Sequence, residues 1–256
     1  MNNLKKDLAN GNLTIGSWLS IANPVICEMM SNAGFDWLVI DMEHTSITSG
    51  DMLQMIQIIS LSGVTPLVRV GTNDALLIKK AMDCGASGVI VPMVNTKQDA
   101  IDAVNSVYYP PLGKRGVGLF RAQGYGSKFT EYLNSYQDNI SVIVQIEHYL
   151  GVENINDILD VPGIDGFIIG PYDLSASLGV PGDFEHPEVV KYLKILEDKM
   201  KNSSIVGGVH IVHSDIEKLQ LKIKNNYKFI AYGDDMVFLS EKLKITSEQL
   251  DKFMEF

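Results

Sequence analysis

The sequence predicts one α/β domain, a single (β/α)8 TIM barrel over residues 1–256, and three observations predict it. Eight short apolar runs alternate with helical patterns. Their spacing fits a closed βα barrel of about 250 residues better than an open sheet. Two consecutive runs, Ser141 to Ile146 and Gly166 to Ile169, lead into the carboxylates Glu147 and Asp173. Parallel strands joined by a crossover helix put both acids at one sheet edge, where such folds gather their chemistry. No low-complexity stretch or linker divides the chain.

Local signals justify each element in turn. Asn3 to Asn10 is an amphipathic start stopped by Gly11, and Thr14 to Ile21 is the first strand. Asn23 caps a helix over Pro24 to Asn32, with proline at its first position, where a missing N–H costs nothing, and Gly34 past its end. Trp37 to Ile40, the second strand, runs into Asp41, Glu43 and His44. Thr48 or Ser49 caps a helix from Asp51 to Ser62 whose Met52, Met55, Ile56 and Ile59 share a face. The third strand, Pro66 to Val70, carries Arg69 within an apolar run. Asn73 and Asp74 open a helix through Ala81 that stops at Gly85, Gly88 to Val94 is the fourth strand, and Thr96 starts a helix that fades at Tyr108 to Pro111. The stretch from Pro110 to Gly126 has five glycines, three basic residues and no period. A loop of that length in a compact domain is functional or mobile. After a helical piece over Phe129 to Asn134 come the two acid-ended strands, a helix over Pro187 to Lys201, a seventh strand from Ile205 to Val212, a helix over Ser214 to Asn225, an eighth strand from Lys228 to Tyr232 and a last helix from Met236 onward.

Composition narrows the function classes. With 46% hydrophobic and 20% charged residues the chain has a globular composition. A net charge of −10 argues against nucleic acid and anionic membranes as partners. Cys27 and Cys84 lack the spacing of a zinc site or a disulfide framework, which suits a reducing compartment. The opening MNNLKKDLANGN has no apolar core, and no apolar run approaches the ~20 residues of a membrane span, so the expectation is a soluble cytoplasmic protein.

The strand ends hold groups that make chemical sense together: Asp41, Glu43 and His44 after strand two, Arg69 on strand three, Gln145 and Glu147 on strand five, Asp173 beyond strand six. Two carboxylates suit a hard divalent cation, a guanidinium grips a carboxylate as a fork, and a histidine near an aspartate moves protons at neutral pH. An arginine in an apolar strand must pair or reach the barrel mouth, because an unpaired buried charge is costly. Gly170 and Pro171 form either a tight turn or a set of backbone donors for an anion. His148, His186, His210 and His213 have no comparable setting and are expected to be structural or solvent-facing.

The stretches FDWLVIDMEH, PLVRV, VIVPMV, YYPPLGKRGVG, VIVQIE and GPYDLSASLG, in that order between Gly16 and about Gly233, resemble the HpcH/HpaI aldolases, the metal-dependent class II pyruvate aldolases. The resemblance implies metal-binding acids at Glu147 and Asp173, a pyruvate-gripping Arg69, and a proton-transferring His44 supported by Asp41. It also implies a barrel whose terminal helix is exchanged between subunits, assembled as a trimer of dimers. The activity implied is reversible cleavage of a 4-hydroxy-2-oxo acid to pyruvate and an aldehyde, with Mg²⁺, Mn²⁺ or Co²⁺ as the cation. Gln145, Gly170 and Tyr172 join Arg69 as expected substrate contacts. Tyr172 and the GLFRAQGYG loop depart from well-known members where the aldehyde would sit, so the aldehyde stays open. A Schiff-base mechanism fits less well, since Lys79 and Lys80 lie within a helix and Lys228 begins a strand. The rivals are an acyl-CoA lyase, whose phosphates would need the Lys114, Arg115 and Arg121 loop, and a catalytically idle barrel serving as a scaffold.

Overall fold

Side chains along a strand point to alternate faces, and in this chain both faces are apolar, so each strand has a core on either side. The computed structural model describes residues 3–254; the outermost residues of the expected domain and of its last helix lie outside the described residues. The strands are β1 (Thr14–Leu19), β2 (Trp37–Asp41), β3 (Thr65–Arg69), β4 (Gly88–Val91), β5 (Ser141–Ile146), β6 (Gly166–Ile169), β7 (Val206–Ile211) and β8 (Phe229–Asp234). Each pairs in parallel with the next, and β8 pairs with β1, closing the barrel. The expected (β/α)8 fold is the observed one.

One core fills the barrel: Trp18, Trp37, Val39, Leu67, Ile90, Ile143, Ile168, Val206 and Phe229 point inward. Trp37 stacks on Phe229 at 4.1 Å, and a Cβ on Gly16 would fall 2.1 Å from the Trp37 ring, so glycine there makes room for the indole. The second core lies between the strands' outer faces, such as Leu38, Ile40, Val142 and Val144, and the surrounding helices. The helix Leu4–Ala9 supplies Leu4 and Leu8 to the inner core, and Lys5 ties it down through Tyr108 Oη (2.8 Å), the Ile140 carbonyl (3.0 Å) and Asp165.

Capping follows the sequence closely. Asn23, Thr48, Asp74 and Thr96 each accept backbone N–H groups at a helix start, and Thr48 and Thr96 form reciprocal boxes with Asp51 and Asp99. Three departures bear on the site. β4 stops at Val91 rather than Val94, because Met93 turns into the left-handed region at φ 54°. β8 extends to Asp234. A short helix, Pro171–Ser177, starts directly after β6, which moves Asp173 from a strand end into a first helical turn.

The long loop from Pro110 is anchored. Arg115 is buried, with its guanidinium 4.1 Å from the Tyr109 ring and hydrogen-bonded to the Val107 carbonyl and Tyr132 Oη. Arg121 donates to the Cys84 carbonyl. Two of the three cations there hold the loop down instead of facing a ligand.

Candidate active site

All the predicted groups meet at one barrel mouth, and strand register brings them there. Asp41 and Arg69 close neighbouring strands in direct register, so guanidinium and carboxylate face each other: Arg69 Nε donates to Asp41 Oδ1 at 3.0 Å and Nη2 to Oδ2 at 2.7 Å. Glu43 Oε2 stands 3.3 Å from Nε, and the Trp18 ring lies 4.3 Å from the guanidinium carbon, a cation–π contact worth roughly 0.5–2 kcal/mol. Burial by itself would raise the Asp41 carboxyl, but the Arg69 fork and the Glu43 and His44 amides outweigh it and hold Asp41 below the usual carboxylate range. Arg69 therefore does not wait empty-handed for a ligand. Its Nη1, without a protein partner among the described residues, is the nitrogen left for one.

The expectation that Asp41 orients the His44 ring meets a different geometry. Asp41 Oδ1 receives the backbone N–H of His44 at 3.3 Å, so it fixes the loop, while the exposed imidazole has Glu43 as its nearest acid, 3.7 Å from Nε2. A carboxylate forked by arginine has little capacity left to steer a ring as well.

The opposite side of the mouth is built from β5 and β6. Glu147 is only 2% exposed, takes the Met93 N–H at 2.7 Å on Oε1 and the Gln145 amide on Oε2. The left-handed turn at Met93, which costs a non-glycine residue about 1–2 kcal/mol, is where the chain supplies that donor. Gly170 lies over the same carboxylate: a Cβ there would fall 2.8 Å from Glu147 Oε2. Burial pushes the Glu147 carboxyl up to about 7; the two donors oppose this, and the nearby charges of Glu43 and Asp173 add to it. Glu43 is likewise raised by burial, against Arg69 and with Asp41 and Asp173. Gly170 and Pro171 themselves offer no donor to an anion, so any donors from this turn are the Tyr172 and Asp173 N–H groups that open the helix Pro171–Ser177. The Gly170 N–H is used by the Ile146 carbonyl at 3.1 Å, and proline has none.

Glu43, Glu147 and Asp173 thus crowd negative charge into one place, and Glu43 Oε2 is buried without a hydrogen-bond partner. This donor set fits a divalent cation: hard oxygens, mutual repulsion that a cation relieves, and an orphaned acceptor. Among the described residues no three His, Cys, Asp or Glu side chains converge into a ready cage, so a cation there would complete its shell with water or substrate. Strand order alone would put Asp41 and Glu43 far round the barrel, within reach of such a cation only through water, whereas in the structure Glu43 lies close enough to Glu147 and Asp173 for their charges to interact.

A cavity of about 280 Å³ opens above these groups, lined by Arg69, Gln145, Gly170, Asp173 and His44 among others. Its rim carries Tyr172, whose ring meets Phe184 edge-on at 4.9 Å. Two residues that sequence reasoning missed also line it. Trp18 looks like ordinary core in an apolar strand. His210 sits on β7 with its Nε2 3.0 Å from the Gly233 carbonyl and its ring 5.3 Å from Trp18; burial pushes its pKa down to about 4. The signal for His210 was the one that singled out Arg69, a polar side chain inside an apolar run.

Known proteins resemble this chain in both sequence and fold. Residues 14–241 match the family described as HpcH/HpaI aldolase/citrate lyase. The 2-keto-3-deoxy-L-rhamnonate aldolase of Escherichia coli K12 is 35% identical over 244 residues, covering 94% of this chain and 90% of its own. A crystal structure of an HpcH/HpaI aldolase/citrate lyase family protein from Burkholderia cenocepacia J2315 superposes with a TM-score of 0.91 at 31% identity, covering 98% of this chain and all (100%) of that one. The citrate synthase SbnG superposes at 0.87 with 26% identity, covering 99% of each chain.

Proposed function

Given that the chain belongs to the HpcH/HpaI aldolase/citrate lyase family and is a carbon–carbon lyase of the aldolase class, we propose that it reversibly cleaves a 4-hydroxy-2-oxo acid to pyruvate and an aldehyde. The observation that carries this reading is one mouth with a stacked, forked guanidinium on one wall and a crowded set of carboxylates on the other. The 2-keto-3-deoxy-L-rhamnonate aldolase among its relatives points to polyhydroxylated substrates of that type.

Arg69, positioned by Asp41 and Trp18, binds the carboxylate of the oxo acid through its free nitrogen and faces the charge that grows on the 2-oxygen as the C3–C4 bond breaks. His44 takes the proton of the 4-hydroxyl in cleavage and returns it in synthesis, with Glu43 beside its ring. Gln145 holds Glu147, and the apolar wall of Trp18, Ile168 and Ile169 keeps water from the reacting carbons. Glu147 and Asp173 would hold Mg²⁺, Mn²⁺ or Co²⁺, which when bound supplies Lewis acidity at the oxo group. Gly170 and Tyr172 are the remaining substrate contacts, the first beneath the oxo acid and the second at the rim.

The acyl-CoA lyase reading loses its support in the long loop, since Arg115 and Arg121 are spent on the protein itself and only Lys114 of that trio is exposed. Assembly as a trimer of dimers with an exchanged last helix, and a cytoplasmic setting, belong to the proposal. What supports them is a helix Asp235–Met254 that leaves Leu239, Leu243 and Leu250 exposed, and the fact that no helix among the described residues is long and apolar enough to cross a membrane. The deciding experiment is exchange of the pyruvate methyl protons in D2O, then a panel of aldehydes, with chelated and metal-restored protein. Exchange that needs a divalent cation is expected. Full activity in protein shown to be metal-free would overturn the class II reading.

A further inference from the structure

Among the titratable side chains that line the mouth, His210 is the one to which the aldol chemistry assigns no role, and its hydrogen bonding fixes what it can offer. A backbone carbonyl only accepts, so the 3.0 Å contact with Gly233 obliges His210 Nε2 to carry the hydrogen. In a neutral imidazole the other nitrogen, Nδ1, is then an acceptor. The ring is neutral near pH 7, because burial opposes its charged form and the Arg69 charge adds to that. Trp18 packs against it at 5.3 Å and limits its rotation. The residue lines the 280 Å³ cavity, and Nδ1 has no partner among the described residues. The mouth is otherwise rich in charge and in donors aimed at carboxylates. A neutral, oriented acceptor beside an indole suits a different group, an uncharged hydroxyl.

We infer that His210 Nδ1 accepts a hydrogen bond from a hydroxyl on the aldehyde half of the substrate, so that the enzyme selects hydroxylated aldehydes over alkyl aldehydes of equal size. The inference rests on the aldolase reading and deepens it: Arg69 and the acids handle the pyruvyl half, and His210 reads the other. Selection has a physical basis, since an alkyl group in that place leaves the buried acceptor unpaired.

The test uses glycolaldehyde and propanal, which differ by a hydroxyl in place of a methyl, as acceptors for pyruvate. Wild-type protein is expected to favour glycolaldehyde in kcat/KM by roughly tenfold or more, the scale of one buried hydrogen bond. His210→Leu should reduce glycolaldehyde turnover by about that factor and leave propanal within roughly threefold, removing the preference. His210→Asn, whose amide oxygen reaches about as far as Nδ1, should restore part of it, whereas His210→Gln, which reaches toward Gly233, should not. Pyruvate proton exchange should be unchanged in all three. Equal losses on both aldehydes, or an unchanged preference in His210→Leu and His210→Gln, would overturn the role of His210 while leaving the aldolase reading intact. Absence of pyruvate proton exchange in metal-restored wild type would overturn the aldolase reading, and this inference with it.

Discussion

Arg69 illustrates how a residue can be placed by one set of partners for use by another. Its fork to Asp41 and its stack on Trp18 leave a single nitrogen facing the cavity. Arg69→Lys keeps the charge but loses the fork and the planar stack, so turnover with a 4-hydroxy-2-oxo acid should fall by ~10² or more while circular dichroism stays that of the folded barrel. Near-normal turnover would assign Arg69 to structure alone. Burial raises the Glu147 carboxyl to about 7, so near neutrality a cation competes there with a proton, and calorimetry should show Mn²⁺ affinity rising as pH rises through about 7, with Glu147→Gln binding far more weakly at every pH. His210 acts on stability rather than on metal binding. Its pKa falls from 6.5 to about 4 on folding, so its contribution is complete above pH 6.5 and is lost as pH falls through 4. A shift of that size is worth roughly 3 kcal/mol, and His210→Gln should flatten the acid limb of a Tm-versus-pH curve.

At the scale of elements, the site depends on the connections leaving each strand more than on the strands. The turn after β4, the helix after β6 and the loop from Pro110 are where expectation and structure part. Apolar runs announced the strands because both faces are buried. Nothing in VPMVN marks Met93 for a left-handed turn, since the constraint comes from a carboxylate on another strand. Likewise GPYD reads as a strand end and a turn, while proline at a first helical position is an equally good start. The contact between Gly170 and Glu147 gives a sharp test of that junction: Gly170→Ala places a methyl 2.8 Å from Oε2, so it should weaken Mn²⁺ binding by ~10-fold or more and cost about 1–3 kcal/mol. Unchanged metal affinity would show that the two backbones yield. Arg115→Met removes a cation that three tyrosines surround; the segment from Leu112 to Gly126 should then become the first site of limited proteolysis.

The barrel as a whole was legible because its signals repeat: eight runs, eight returns and caps of ordinary chemistry. The candidate site was legible as a list of strand ends, and Asp41, His44, Arg69, Glu147 and Asp173 do gather at one mouth. What the sequence withheld was pairing. Register alone decides that Arg69 meets Asp41, and closure of the barrel decides that Glu43 comes near Glu147. The exposed apolar side chains of the last helix make a prediction at this scale: sedimentation should find an oligomer, and deletion of residues 239–256 should convert it to smaller species. A monomer at micromolar concentration would end the exchanged-helix reading.

The barrel also carries its own optical instrument. Of the two tryptophans in the chain, Trp37 is sealed in the inner core against Phe229, while Trp18 lies under the Arg69 guanidinium at the edge of the cavity. An anion that draws on Arg69 changes the charge above one indole and leaves the other in its dry surroundings. Emission from Trp18 should therefore respond to pyruvate in proportion to occupancy, with Trp37 as a constant background that Trp37→Phe would remove, so that ligand affinity can be read in the resting enzyme before any bond is made or broken.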